Sequence, residues 1–499
     1  MISRQNFVSR QNFVSNKMII GIFLLNIIVF TCYSQQKEKS PNVIYILTDQ
    51  WRASALGYAG NNEVKTPSLD AFAKAAVNFK NAVSVTPVCT PYRAALLSGR
   101  FPTTTGMFLN DLYFPSEELS MAEIYKSAGY KTAYIGKWHL DGHGRKSFVA
   151  PERRQGFDFW KGSECDHDYL NEHYYDNNDT NIKHWEGYST YAISKEAQHY
   201  METAVSEKVS FLLFVSISTP HFPHETAPKE FMEMYSKESL TLPTNVSDDM
   251  KTWASKELIG YYAHCSATDK AIGDIIKKAK ELGIYDNSII VFTSDHGEMM
   301  GSHGFRPYMK QQPYSESANI PFLISYPGIN RNQGKTANAA ITTPDILPSL
   351  LSLSNISIPK SIEGYDLSGI MKKPKIHPDR AALYMNICPF DVAYPNEEYR
   401  AIRTSKYTFV KTLTGPTMLF DNVNDPLQMK NLVETPKFAK IRNGLDLQLM
   451  NELSRIGETA IRPRAYYTKK FGYEGSAQLR DNYANKSYDK VDVVVSPKH

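Results

Sequence analysis

"NVIYILTDQ", Asn42 to Gln50, is the stretch from which the fold can be read. Its first six residues are mostly apolar and partly β-branched, the composition of a strand buried on both faces, and polar Thr-Asp-Gln follows at the carboxyl end. The same grammar returns in "SIIVFTSDHGE", Ser288 to Glu298. "KTAYIG" (Lys131 to Gly136) and "VSFLLFVSIS" (Val209 to Ser218) read as further buried strands. Between them lie helical stretches. One spans Thr66 to Phe79, opening at Pro67-Ser68 with Leu69, Phe72 and Ala76 on one face, and another spans Asp269 to Leu282. Strands alternating with helices predict an α/β fold with a mostly parallel central sheet. In such sheets ligands gather at the carboxyl ends of strands. Asp49, Gln50, Lys137, His139, His221, Asp295 and His296 all fall there, so residues far apart in sequence can converge.

The chain has 499 residues, enough for one large domain and a smaller one. From about Asn386 the texture changes. "YRAIRTSKYTFVKTL" and "TMLFDNVNDPLQMKNL" alternate polar and apolar residues around turns, as in a small antiparallel sheet. The expected division is residues 1–34 as an export signal, 35–385 as the large domain and 386–499 as a C-terminal subdomain. The signal rests on "MIIGIFLLNIIVF", Met18 to Phe30, preceded by Lys17 and followed by small residues at Cys32 and Ser34. The run is short for a stable membrane span. Export to the periplasm with a cut near Ser34 is expected, with secretion or a lipoprotein cut before Cys32 as alternatives. A net charge of +4 is too small for the basic stripe that nucleic acid requires. The cysteines show no CxxC and no zinc spacing. Cys165, Cys265 and Cys388 read as buried or free thiols, or as one bridged pair and a remainder.

The remaining cysteine lies in "VCTPYRAALLSGR", Val88 to Arg100. Thr90 suits an N-cap, Pro91 a first helical residue and Gly99 a C-terminal stop. Cys89 then stands at a helix start that favours an anion, with Arg93 one turn on. Taken alone, a cysteine at a helix start is most simply a packing residue.

Within its whole stretch it is more than that. "CTPYRAALLSGR" resembles the signature of the formylglycine-dependent sulfatases, and "GYKTAYIGKWHL" (Gly129 to Leu140) resembles their second signature. The resemblance implies the alkaline-phosphatase-like α/β sandwich with a small C-terminal antiparallel sheet. It also implies that a maturation enzyme converts Cys89 to formylglycine, whose hydrate is the nucleophile. By the same carry-over, Lys137 stabilises the formylglycine oxygen and His139 exchanges its proton. Asp49, Gln50, Asp295 and His296, with position 89, hold one divalent cation. Calcium is the expected ion. Gln50 and His296 depart from the commoner Asp and Asn, which leaves manganese open. His221 in "STPHFPHE" and Lys310 in "YMKQQPYSES" would hold sulfate oxygens, beside Arg93. His303 and Arg306 in "GSHGFR" and His167 in "ECDHDYLNEHYY" are candidate substrate contacts.

The substrate class expected from the resemblance is a sulfated carbohydrate, an algal polysaccharide such as ulvan. The alternatives are phosphonate monoesters or phosphodiesters on the same scaffold, an aryl or choline sulfate, or a glycan-binding relative without catalysis.

Overall fold

The computed structural model describes residues 40–237, 239–327, 334–375, 380–389 and 398–473. The expected export signal, Cys32 and the chain beyond residue 473 lie outside the described residues.

Ten strands form the main sheet: β1 Asn42–Asp49, β2 Val77–Val83, β3 Lys131–Lys137, β4 Phe159–Ser163, β5 His173–Asp176, β6 Lys183–His184, β7 Phe211–Pro220, β8 Ser288–Ser294, β9 Phe322–Ser325 and β10 Lys335–Thr342. Their spatial order is β10-β2-β9-β8-β1-β7-β3-β4-β5-β6. The central run β8-β1-β7-β3-β4 is parallel throughout. Antiparallel pairing enters through β9 on one side and through β5 and β6 on the other. Because the central strands are parallel, their carboxyl ends share one edge, and that edge carries Asp49, Lys137 and the segment after Ser294.

β1 shows why its sequence is nearly all apolar. Val43, Tyr45 and Leu47 enter one core together with Tyr92, Ala95 and Leu96 of the helix Cys89–Ser98. Ile44 and Ile46 enter a second core with Ile193 and Met201 of the helix Ser189–Ser206 and with Leu258, Ile272 and Ile275 of the helix Lys251–Glu281. Both faces are covered, and each buried Ile, Leu or Val contributes about 1.5–3 kcal/mol.

The smaller sheet is antiparallel, in the order β11 Ala382–Asn386, β12 Tyr399–Arg403, β13 Tyr407–Thr412 and β14 Gly415–Asp421. Leu383, Ile402, Phe409 and Leu419 from it join the same core as Tyr45 and Tyr92. From Pro41 onward the contacts make one compact unit.

Two sequence expectations change. The helix expected over Thr66 to Phe79 ends at Ala73, and Val77–Val83 is β2. The alanine-rich "AFAKAA" carries helical spacing, but Val77 and Phe79 turn into the core while Lys80 faces out, and pairing with β9 and β10 decides the outcome. The helical stretch at Asp269 to Leu282 is the second half of a longer helix, Lys251–Glu281, capped by Leu282.

Gly136, just before Lys137, has φ +105°, and a Cβ placed there would lie 1.9 Å from the Ser216 carbonyl oxygen. Gly136→Ala therefore combines left-handed strain with a backbone collision. It is expected to cost about 3 kcal/mol or more. Chemical denaturation of the variant checks this, and an unchanged midpoint would overturn it.

Candidate active site at the carboxyl ends of the sheet

Backbone bonds bring the ends of β1 and β8 together. Asp295 N donates to Thr48 O at 3.1 Å, and Trp51 N donates to Ser294 Oγ at 2.9 Å. The β1–β7 register shifts between Thr48 and Asp49. Asp49, Cys89, Asp295 and His296 then offer ligand atoms that all lie within 4.8 Å of one another, every one buried. His296 Nε2 is 3.4 Å from Cys89 Sγ and 3.5 Å from an oxygen of each carboxylate. Its Nδ1 donates to Gly297 O at 3.0 Å, which leaves Nε2 as the lone-pair nitrogen facing the cluster. Burial lowers the His296 pKa, and Lys310 adds to this. A neutral imidazole and two carboxylates make a donor set that fits a divalent cation.

Gln50 adjoins this group. Its φ is +65°, its Nε2 donates to the Glu298 carboxylate and to Tyr308 O at 3.2 Å, and its Oε1 accepts from Lys310 Nζ at 3.0 Å.

The cations pack against the same oxygens. Arg93 Nη2 is 3.0 Å from Asp295 and 3.4 Å from Asp49, while Nη1 donates to Lys137 O and Ser216 Oγ, each at 2.8 Å. Lys137 Nζ is 2.6 Å from Asp49 Oδ2 and 3.8 Å from Cys89 Sγ. Burial would raise the Asp49 pKa, but Lys137, His221, His296 and Arg93 together hold it well below the usual carboxylate range. Lys310 Nζ lies 3.9 Å from Cys89 Sγ and 3.1 Å from His221 Nε2. His221 donates through Nδ1 to Phe222 O at 2.7 Å, and burial beside Lys310 and His167 pushes its pKa well below 6.5.

His139 (φ +59°) is oriented from the far side. Its Nε2 is 2.9 Å from Asp111 Oδ1, and Asp111 also takes two bonds from Arg145, at 3.1 and 3.2 Å. Burial alone would lower the His139 pKa, but Cys165 and Asp111 outweigh it and push it up to about 9. The Cys165 thiol, which burial would raise, is held well below its usual value by Lys137, His139, His167 and Arg145.

The sequence placed Cys89, Arg93, Lys137, His139, His221, Lys310, Asp49, Gln50, Asp295 and His296 at one site, and the structure brings them together. His167 joins them through its stack on His221, with centroids 4.2 Å apart. His303 does not: it hydrogen-bonds Asn245 at 3.1 Å and stacks on Tyr314 at 3.9 Å, in a separate polar cluster. Arg306 is half-buried on the same loop. A groove of about 1240 Å³, lined among others by Tyr58, Asn81 and Arg403, contains none of the cluster. Thr90 is not the N-cap. The helix starts at Cys89 after extended Val88, and the Thr90 hydroxyl donates instead to His139 O at 2.9 Å, joining the two signature stretches. Asp111, Arg145 and Ser216 went unread in the sequence, and Cys165 was read only as a thiol, not as part of the site. No spacing marks them, because each reaches the site from a separate loop or strand. All four cysteines among the described residues are free and buried.

A buried cation-binding donor set beneath a cationic rim, on an α/β sandwich, defines a hydrolase of anionic esters. The sulfatase family model matches residues 41–356, and a model for the C-terminal part of N-sulphoglucosamine sulphohydrolase matches 301–455. The chain belongs to the sulfatase family and is a sulfuric ester hydrolase. It is 56% identical over 445 residues to an ulvan-active sulfatase of Formosa agariphila, covering 89% of this chain and 87% of that one. It is 28% identical over 461 residues to an endo-4-O-sulfatase of Bacteroides thetaiotaomicron, covering 80% and 89%. The solved structure of yidJ from Bacteroides fragilis, described as a sulfatase, superposes with TM-score 0.77 at 28% identity, covering 87% and 99% of the two chains.

Glu172 is fully buried behind this edge and accepts from Ser218 Oγ at 3.0 Å. Burial pushes its pKa up from 4.5 to about 8. Between those values the folded chain keeps a proton that the unfolded chain has lost, so this group erodes stability as pH rises through that window. Glu172→Gln is expected to raise the unfolding midpoint at pH 8 and to change it little at pH 4. Thermal denaturation at the two pH values measures this; an equal shift at both would sink the assignment.

Proposed function

We propose that this protein is an exported glycan sulfatase, matured to formylglycine at position 89, that removes sulfate from ulvan or its oligosaccharides. The observation that carries the reaction is the surrounding of Cys89 Sγ: Lys137, Lys310, His296 and Asp49 all lie within 3.9 Å of it. The substrate reading rests on the likeness to the ulvan-active sulfatase. Export follows from the Met18 to Phe30 segment.

Formylglycine supplies a geminal diol, one hydroxyl of which attacks sulfur while the other later expels sulfate. A divalent cation, calcium by preference and manganese as the alternative, supplies a Lewis acid that polarises the sulfate oxygens. Asp49, Gln50, Asp295 and His296 would hold that cation. Lys137 and Arg93 keep the Asp49 carboxylate ionised, and Lys137 also stabilises the oxygen at position 89. Lys310 and His221 bind sulfate oxygens. His221 is neutral at rest because it is buried and then because it faces Lys310, and an incoming anion offsets that charge and lets it take up a proton for the leaving alcohol. His139, turned by Asp111, takes the proton released as sulfate departs when it is in its neutral form, which Cys165 and Asp111 make the minor one at rest. Thr90, Pro91 and Arg93 form the segment that the maturation enzyme would read.

Cys89→Ala is expected to lower sulfate release at least about a thousandfold, measured by ion chromatography on ulvan oligosaccharides; undiminished release would refute the nucleophile. Mass spectrometry of the Cys89 peptide is expected to find an aldehyde in active protein. Chelation is expected to abolish activity, with calcium restoring it better than manganese. At matched concentration, faster turnover of phosphonate monoesters than of sulfate esters would favour the rival reaction.

A further inference from the structure

A row of aromatic rings runs outward from the Cys89 cluster. His167 stacks on His221 at 4.2 Å and 4°, His221 on Phe222 at 4.2 Å and 27°, and Phe222 against Tyr308 at 4.5 Å and 42°. Tyr308 meets Trp253 edge-on at 5.8 Å and 79°. The inner part of the row touches the reacting centre through Lys310, which is 3.1 Å from His221 Nε2 and 3.9 Å from Cys89 Sγ. The outer end reaches solvent: Trp253 is 37% exposed, whereas Trp51, Trp138, Trp160 and Trp185 are buried. Trp253 lies in the first turn of the helix Lys251–Glu281, which runs from the carboxyl edge of the sheet back to β8.

Of the two outer residues, Tyr308 is held in place by its backbone. Glu257 borders both rings and pairs with His224 Nδ1 at 3.0 Å. The Tyr308 backbone, at φ +75°, donates to Glu298 Oε1 at 2.9 Å and accepts from Gln50 Nε2 at 3.2 Å. A tyrosine in the left-handed region persists only where its surroundings over-determine it, and such residues cluster at ligand clamps. Here the over-determining groups are Gln50, which borders the cation-binding cluster, and Glu298. The ring position of Tyr308 is thereby registered to the sulfur-binding centre, while its other neighbour presents indole surface to water. A rigid ring of this kind offers the apolar, C–H face of a pyranose a platform at little entropic cost.

We propose that Trp253 and Tyr308 form a pyranose-stacking subsite for a sugar ring beyond the sulfated one, so that the enzyme grips an oligosaccharide rather than a lone sulfated sugar. This rests on the sulfatase reading above. Trp253 lies three rings beyond His221, so a small sulfate ester held at His221 would fall short of it. An oligosaccharide would reach it.

The test compares wild type, Trp253→Ala and Trp253→Phe on a sulfated ulvan tetrasaccharide and on 4-nitrophenyl sulfate. In Trp253→Ala the KM for the tetrasaccharide is expected to rise roughly three- to tenfold, with kcat within about twofold. Trp253→Phe is expected to recover most of that loss, and turnover of the aryl sulfate to stay unchanged in both variants. Unaltered tetrasaccharide kinetics in Trp253→Ala would overturn the subsite alone, and so would an equal loss on both substrates, which marks a structural role. A wild-type enzyme inactive on every sulfate ester would overturn the sulfatase reading and the subsite with it.

Discussion

Two carboxylates buried against one guanidinium set the terms for everything around them. Asp49 and Asp295 end neighbouring strands, both at 0% exposure, and Arg93 Nη2 lies between them. Unpaired, such charges are prohibitive in a protein interior, and removing one partner of a buried pair typically costs about 3–5 kcal/mol. The pairing therefore dictates geometry. β1 and β8 must finish level, the Cys89–Ser98 helix must point Arg93 inward, and β3 must deliver Lys137 to the second oxygen of Asp49. Gly136 permits that last delivery, because the strand passes too close to Ser216 for any side chain. The catalytic edge and the central sheet are one electrostatic object.

That object is biased toward anions. Arg93, Lys137 and Lys310 outnumber the two carboxylates, and their surplus charge falls on the histidines. Burial beside Lys310 drives both His221 and His296 toward the neutral form. A neutral imidazole is the ligand form for a metal and the acceptor form for a proton, so the cationic rim readies both rings before any ligand arrives. His139 answers to the opposite environment. Cys165 and Asp111 surround it with negative charge, and its pKa moves up to about 9. Histidines converging on one small volume are thus held in different protonation states by their immediate neighbours.

The legible part of this site is the part written contiguously. Strand-end residues announce themselves because a buried parallel strand is an unbroken apolar run and its polar terminus stands out. "NVIYILTDQ" and "SIIVFTSDHGE" therefore yield Asp49, Gln50, Asp295 and His296 directly, and the two signature stretches yield Cys89, Arg93, Lys137 and His139. Asp111 and Cys165 act across space from loops with no pattern of their own, and only packing reveals that they set the charge of His139. Local propensity misled in the Thr66 to Phe79 stretch, where helical alanines adjoin residues claimed by the sheet. It misled again at Thr90, whose hydroxyl is drawn from capping to the His139 carbonyl. His303 sits near Lys310 in sequence, but its ring turns to Tyr314.

Gln50 shows how far orientation alone can carry a neutral group. Its amide nitrogen has two acceptors, the Glu298 carboxylate and the Tyr308 carbonyl, so the amide oxygen is the atom left to meet Lys310 and the cluster. Glu298, fully buried with its pKa raised by burial, also accepts from Met300 N and Tyr308 N and is fixed in turn. An oxygen aimed in this way offers a ligand dipole without a third negative charge. Carboxylate in its place would add attraction for a cation but would also repel the anionic ester that must approach the same point. The amide leaves the entrance more positive than a carboxylate would.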